Sequence, residues 1–248
     1  MAVFFIINLI IEYYNFTRYE QDHSQASVLQ LDSVSKTYSS CSKSFDAVKG
    51  LSMSITRGEC YGLIGLNGAG KSTTFKMITG QTRCTSGRVK FNCGRIGYCS
   101  QNNSLDEYIS VQNHLWIYAM IAGYTSQETK IVTNQLLREY CMEKFRTVQC
   151  GHLSGGNKRK LCSAISMLGG PDIVLMDEPT SGMDPGTRRI VWRNIENLAK
   201  RGKFEKKYIY CFIFPSVLQD PNSYALKKMF FFNHLYLFQD KNLDLFLS

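Results

Sequence analysis

No stretch of this sequence is both long and apolar enough to cross a bilayer, which takes roughly 20 residues of helix. Residues 1–11, 208–214 and 229–238 are its most apolar or aromatic runs, and all fall short. The N-terminus also lacks the basic start and small-residue cleavage site of a secretory signal. Any membrane-spanning part is therefore expected elsewhere than in this chain. Among nine cysteines there is no C-x-x-C pair, and the number is odd. That argues against a zinc site and a disulfide framework, and for a reducing compartment. A long basic block is missing as well: 29 Lys and Arg against 20 Asp and Glu give a formal charge of +9, yet the cations are scattered. Their longest cluster, Asn157-Lys158-Arg159-Lys160, is expected to be a solvated helix face, and no nucleic-acid partner is expected.

What the sequence does contain is a complete phosphate-binding loop, Gly65-Leu66-Asn67-Gly68-Ala69-Gly70-Lys71-Ser72. Its glycines let backbone N–H groups turn inward around a phosphate, Lys71 can reach the β/γ oxygens, and the Ser72 hydroxyl can hold Mg²⁺. The loop follows a strand-like run, 60–64, and precedes a helix-like run, 73–79, that Gly80 should stop. This context makes a nucleoside triphosphate the expected ligand.

At 248 residues the chain suits one α/β domain with a substantial core. Alternation of Leu29 with Leu31, and of Leu51, Met53 and Ile55, predicts strands between Val28 and Tyr61. Residues 88–91 and 96–99 read as two more strands around a turn at 92–94, and Gln101 follows directly. Between 104 and 150 the spacing turns helical, with a capping box at Thr125-Ser126-Gln127-Glu128. Ser154 is placed to cap a helix over 155–168, and 173–176 is a continuous apolar run, as in a parallel strand buried on both faces. Asp184 and Pro185 start an amphipathic helix that should close near Gly202. Strands and helices alternating around the loop predict an α/β fold, a P-loop NTPase core with a mainly parallel sheet.

The strand at 173–176 delivers Asp177 and Glu178 at its carboxyl end, the edge where open α/β sheets place ligands. Asp177 can hold Mg²⁺ through its water shell, and Glu178 can polarise the water that attacks a γ-phosphate. Leu153-Ser154-Gly155-Gly156-Asn157 offers a second anion site at a helix start. One nucleotide has no obvious use for two such sites on one domain, whereas a dimer sandwiching the nucleotide does.

In this order, over residues 28–202, the motifs resemble the nucleotide-binding domain of ABC transporters. Residues 65–72 look like the Walker A loop, Gln101 like the Q-loop, 153–157 like the signature, 173–178 like the Walker B strand with its catalytic glutamate, and 181–184 like the D-loop. Tyr38 resembles the aromatic that stacks on adenine. Ser154-Gly155-Gly156-Asn157-Lys158-Arg159-Lys160-Leu161, Gly58-Glu59-Cys60-Tyr61-Gly62 and Gly182-Met183-Asp184-Pro185 are similar to the A subfamily, mostly lipid transporters. The resemblance implies an N-terminal antiparallel β part and a helical subdomain inserted at about 103–168. It also implies ATP and Mg²⁺ as ligands: Tyr38, Gly65, Asn67, Gly68, Ala69, Gly70, Lys71, Ser72 and Thr73 would bind the nucleotide. Ser72, Gln101 and Asp177 would hold the metal, and Glu178 and Gln101 would act in hydrolysis. Ser154, Gly155 and Gly156 would close over ATP on a second nucleotide-binding domain, and transmembrane domains of the same transporter would dock the cassette at the cytoplasmic face of the membrane.

The resemblance fails in two places. Between Gly87 and Gly97 the chain is shorter than the family, which suggests a lost strand or hairpin. The strand-like run 208–214 also lacks the histidine expected near Tyr210, and His234 comes too late to replace it. From Lys203 onward there is no glycine, and the codons of Gly202-Lys203-Phe204 can be written to contain a splice donor. Residues 203–248 are therefore expected to be a divergent, intron-derived tail, the rival reading being a genuine tail that packs its aromatics on the core. Residues 1–27 are read as a non-native N-terminal extension, with 1–15 of the same origin as the tail. Two alternatives to an ATP-hydrolysing cassette stay open: a cassette that binds without turnover, and a soluble ABC ATPase.

Overall fold

The computed structural model describes residues 27–40, 43–56, 60–65, 68–205, 209–214, 234–238 and 243–247. The expected extension at 1–27 lies outside them except for Ser27, as do Asn67 and the side chains of the tail. The chain forms two compact units. The first takes the described residues up to Gly94 and those from Ile209 onward, and the second takes the stretch Arg95–Tyr208 between them.

In the first unit β1 (Ser27–Ser40) lies between β2 (Lys43–Thr56) and β4 (Ser86–Phe91), antiparallel to both. In β2, Leu51, Met53 and Ile55 are buried while Ser52 and Ser54 face water, the period-two pattern of a half-buried strand. β1 bulges around Ser33, whose backbone is left-handed (φ 48°) and whose N–H donates to Ser52 Oγ at 2.8 Å. Gly87 sits against this bulge: a Cβ there would lie 2.3 Å from the Ser33 carbonyl oxygen.

The same unit holds β3 (Cys60–Gly65), which pairs in parallel with β7 (Ile209–Phe214) on one side and β8 (His234–Phe238) on the other. Antiparallel β9 (Leu243–Leu247) follows β8. The strand expected at 208–214 is thus present as β7, next to the strand that feeds the phosphate loop. α1 (Lys71–Ile78) begins two residues earlier than expected and buries Phe75, Met77 and Ile78. Gly80, at φ 73°, ends it by donating its N–H to Met77 O.

In the second unit β5 (Ile96–Cys99) and β6 (Ile173–Asp177) pair in parallel. All five residues of β6 are buried, as its unbroken apolar run predicts. β4 and β5, adjacent in sequence, join different sheets. Helices α2 (Val111–Ile121), α3 (Ser126–Glu139) and α4 (Gly155–Ile165) pack around Leu115, Leu137, Tyr140 and Leu161 and form the expected helical subdomain. The Thr125–Glu128 capping box is fully formed. α4 ends at Ile165, three residues short of the expected 168, whereas α5 (Pro185–Glu205) runs three residues past Gly202.

The basic cluster at 157–160 is not the solvated face that its charge suggests. Arg159 and Lys160 are only 3% and 4% exposed. Burial pushes the Lys160 ammonium below its ordinary pKa, partly offset by Asp184 nearby. The reason for the burial of Arg159 lies in the carbonyls that it meets at the ends of β5 and β6.

Candidate functional site

Phosphate-loop residues occupy the turn between β3 and α1. Gly68 (φ 86°) and Gly70 (φ 93°) both adopt left-handed backbone, which glycine alone enters without strain. Gly70 is also hemmed in: a Cβ would stand 2.2 Å from the Ala47 carbonyl oxygen. As N-cap of α1 it has no side chain with which to accept an N–H of the first turn. Lys71 is 6% exposed and its ammonium donates to the Gly65 carbonyl at 2.6 Å, back across the loop. Ser72 and Thr73 follow on the first turn, both half-buried. A helix start without a side-chain cap, a folded-back lysine and an adjacent hydroxyl form a donor set fitted to a polyphosphate and its metal.

Tyr38, near the end of β1, is 43% exposed, with the Lys36 ammonium 5.0 Å from its ring centroid. Lys36 lies over one face of the ring, so stacking on a flat ring would use the other.

In the second unit Asp177 ends β6 and is 2% exposed, while Glu178 takes the next position with left-handed backbone (φ 50°). That conformation is costly for a residue with a Cβ and turns the chain sharply off the strand. The Gln101 amide donates to Glu178 Oε2 at 3.2 Å, so two residues 77 positions apart in sequence share one hydrogen bond. Behind them, the Arg159 guanidinium donates to the carbonyls of Ser100, Gln101, Asp177 and Glu178. The sequence shows Arg159 only as part of the basic cluster 157–160, and the structure places it in a helix whose Leu161, Ser163 and Ala164 are also buried.

At the start of α4, Ser154 Oγ accepts the Asn157 N–H at 3.3 Å, as expected of an N-cap. The hydroxyl keeps its own proton to donate. A Cβ at Gly155 would meet nothing within 4 Å, and one at Gly156 would meet Thr187 Cγ2 at 3.4 Å. Asp184 caps α5 through the Thr187 N–H at 2.9 Å, and such donors hold its carboxyl below the usual range.

The histidines divide by position. His114 is wholly buried: its Nε2 accepts the Asp106 N–H at 3.1 Å, and its Nδ1 lies 3.2 Å from the Ser110 carbonyl. A carbonyl only accepts, so the proton sits on Nδ1 and the ring is neutral. Cys150 Sγ, 3.3 Å from the same nitrogen, is a buried thiol pushed up to about 11. His234 pairs with Tyr61 near the start of β3, whereas Phe238 pairs with Gly65 at the loop end. Four residues of strand, about 13 Å, separate the His234 backbone from the loop end.

A profile described as ABC transporter matches residues 48–181. Among curated relatives, the retinal-specific phospholipid-transporting ATPase ABCA4 of Bos taurus is 39% identical over 191 residues, 73% of this chain and 8% of that protein. The glucosylceramide transporter ABCA12 of Mus musculus is 37% identical over 190 residues, 72% of this chain and 7% of its own. The human phospholipid-transporting ATPase ABCA3 is 38% identical over 168 residues, 63% and 10%. The chain thus spans 7–10% of the length of these relatives. Solved structures with the same fold include a dimeric bacterial ABC transporter cassette, with TM-score 0.75 and 19% identity over 89% of this chain and 99% of that one. A dimeric post-hydrolysis cassette bound to ADP and Pi gives TM-score 0.74 and 20% identity over the same shares. With the matched profile taking in the phosphate loop, Gln101, the Ser154 helix start and the acidic strand end together, the chain belongs to the ABC transporter family, as an ATP-binding cassette similar to those of A-subfamily lipid transporters.

Proposed function

We propose that the chain binds Mg-ATP and hydrolyses it to drive transport, of lipid by analogy with the named relatives, within a larger transporter. The observation that carries the reading is the Gln101–Glu178 pair, with Glu178 held in a left-handed turn at the end of a buried strand. Residues confined to costly backbone conformations concentrate at reacting sites.

In this reading Tyr38 stacks on the adenine, and Gly65, Asn67, Gly68, Ala69, Gly70 and Thr73 present backbone N–H groups to the phosphates. Lys71 exchanges its Gly65 carbonyl for β/γ oxygens. Ser72, Gln101 and Asp177 hold Mg²⁺, which when bound offsets the phosphate charge. Glu178, released from the Gln101 amide, takes a proton from the attacking water, a role worth about 10²- to 10⁴-fold in rate. Ser154, Gly155 and Gly156 serve the ATP of a second cassette, and transmembrane domains carried elsewhere dock this one at the cytoplasmic face.

A second reading is binding without turnover. It is favoured by the absence of histidine from 208–216 and by the pairing of His234 with Tyr61, remote in sequence register from the loop end. Mg-ATP hydrolysis by the transporter containing this cassette, compared with its Glu178→Gln variant, separates the two. Loss of hydrolysis with ATP binding retained supports the first reading, and hydrolysis indifferent to the change refutes Glu178 as base. Binding with no hydrolysis in the unaltered protein establishes the second.

A further inference from the structure

We infer that Arg159 is a positioning residue that locks the Gln101 segment and the Glu178 turn into one rigid piece. The inference rests on the proposed roles of Gln101 and Glu178, and adds a residue to which no part in the site is otherwise assigned. Four carbonyl oxygens from two separate chain segments converge on its guanidinium. One terminal nitrogen donates to Ser100 O and, at 3.1 Å, to Gln101 O; the other donates to Asp177 O and, at 3.0 Å, to Glu178 O. The side chain is 3% exposed, and its bond to Asp177 O is buried while the other three are partly buried, so the charged donor is strengthened by its low exposure to water.

The planar fork is what permits this arrangement. A guanidinium presents donors in fixed directions along one plane, and each terminal nitrogen here serves one segment. An ammonium is a compact point charge and cannot span both. The two segments need such a tie, because β5 ends at Cys99 and β6 at Asp177, so the ladder between them stops short of Gln101 and Glu178. Beyond the ladder, the Gln101–Glu178 side-chain bond is exposed at its glutamine end. The bonds from the buried Arg159 side chain therefore fix the carbonyls of both residues, and with them the origin of both side chains. They also hold the Glu178 carbonyl in the orientation that its left-handed backbone requires.

The test compares unaltered protein, Arg159→Lys, Arg159→Gln and Glu178→Gln in the transporter containing the cassette. It reads ATP affinity, steady-state hydrolysis and amide hydrogen exchange. Both Arg159 variants are expected to speed exchange in segments 100–103 and 178–181 together, while α3 keeps its protection as the control for folding. ATP affinity stays within roughly twofold and kcat falls by about 100-fold, the scale of a misplacement of about 1 Å, so the loss appears in kcat and not in KM. A kcat unchanged in both Arg159 variants while Glu178→Gln abolishes hydrolysis overturns the inference. If Glu178→Gln has no effect, or the unaltered protein does not hydrolyse ATP, the proposed function fails separately and exchange alone decides the lock. Joint loosening supports it; loosening of one segment, of neither, or of α3 equally overturns it. Full recovery of kcat and protection by Arg159→Lys also overturns it, because a simple buried charge would then suffice.

Discussion

Single atoms decide several positions here, and the clearest is Gly97. A Cβ added in the middle of β5 would lie 1.9 Å from the Ser166 carbonyl oxygen, beyond the last residue of α4, with Pro171 Cγ at 3.1 Å. The obstacle is backbone, so a rotamer change gives no relief. Gly97→Ala is expected to force strand and helix apart at a cost of about 1–3 kcal/mol, the usual range for overpacking. The urea midpoint measures this, and an unchanged midpoint would mean that the helix end moves freely. His114 supplies a second residue-scale test. Burial lowers its pKa from the ordinary 6.5, against backbone bonds at Ser110 and Ile109 and the charge of Asp106, which raise it. The unfolded chain therefore takes up a proton near pH 6.5 that the folded chain refuses until lower pH, so stability is full above 6.5 and declines as pH falls below it. Melting temperature followed from pH 7.5 to 5.5 should drop more steeply in the unaltered protein than in His114→Gln, whose amide oxygen can still accept the Asp106 N–H. Equal slopes would assign the acid sensitivity elsewhere.

At the scale of elements, local chemistry explains what was legible in the sequence. Thr125 with Glu128, Ser154, and Asp184 with Pro185 each announce a helix start because the capping oxygen and the N–H it accepts lie within three residues. β6 was legible because a strand buried on both faces must be apolar throughout. The phosphate loop was legible because its glycines are demanded by backbone angles at Gly68 and Gly70. Helix ends were less so: α4 stops at Ile165 and α5 runs to Glu205 for reasons of packing that no short window contains. Charge misled most at Arg159 and Lys160. A cation reads as a surface residue when its partners are unknown, and those of Arg159 are carbonyls 18 to 59 positions away, which have no side-chain signature. The same limit hid the Gln101–Glu178 bond, since each residue was visible separately but their meeting depends on the β5–β6 register.

For the molecule as a whole, the first unit is built from two stretches of chain, with the second unit inserted between them. β3, which leads into the phosphate loop, takes both its neighbours from the later stretch: Tyr61 pairs with Cys211 in β7 and with His234 in β8, and the pairing continues to Ile64 on both sides. A chain ending at Gly202, the boundary suggested by its sequence, would keep the loop and lose both neighbours. Five paired positions on each side of β3 would then be left without partners, around a strand whose Leu63 is 1% exposed. Unpaired backbone in a buried strand costs about 1–3 kcal/mol for each group, so losses along both sides of β3 are together comparable to the roughly 5–15 kcal/mol that holds a domain folded. Residues 1–202 alone are therefore expected to be insoluble, or soluble without binding a fluorescent ATP analogue, while the 248-residue chain binds it. Equal binding by both would show that the loop stands without β7 and β8. Transcript reads across the Gly202 codon bear on the same point. If they splice there, the exon that replaces 203–248 must itself supply two parallel strands flanking Cys60–Gly65, and grafting it onto residue 202 should restore ATP binding to the truncated chain.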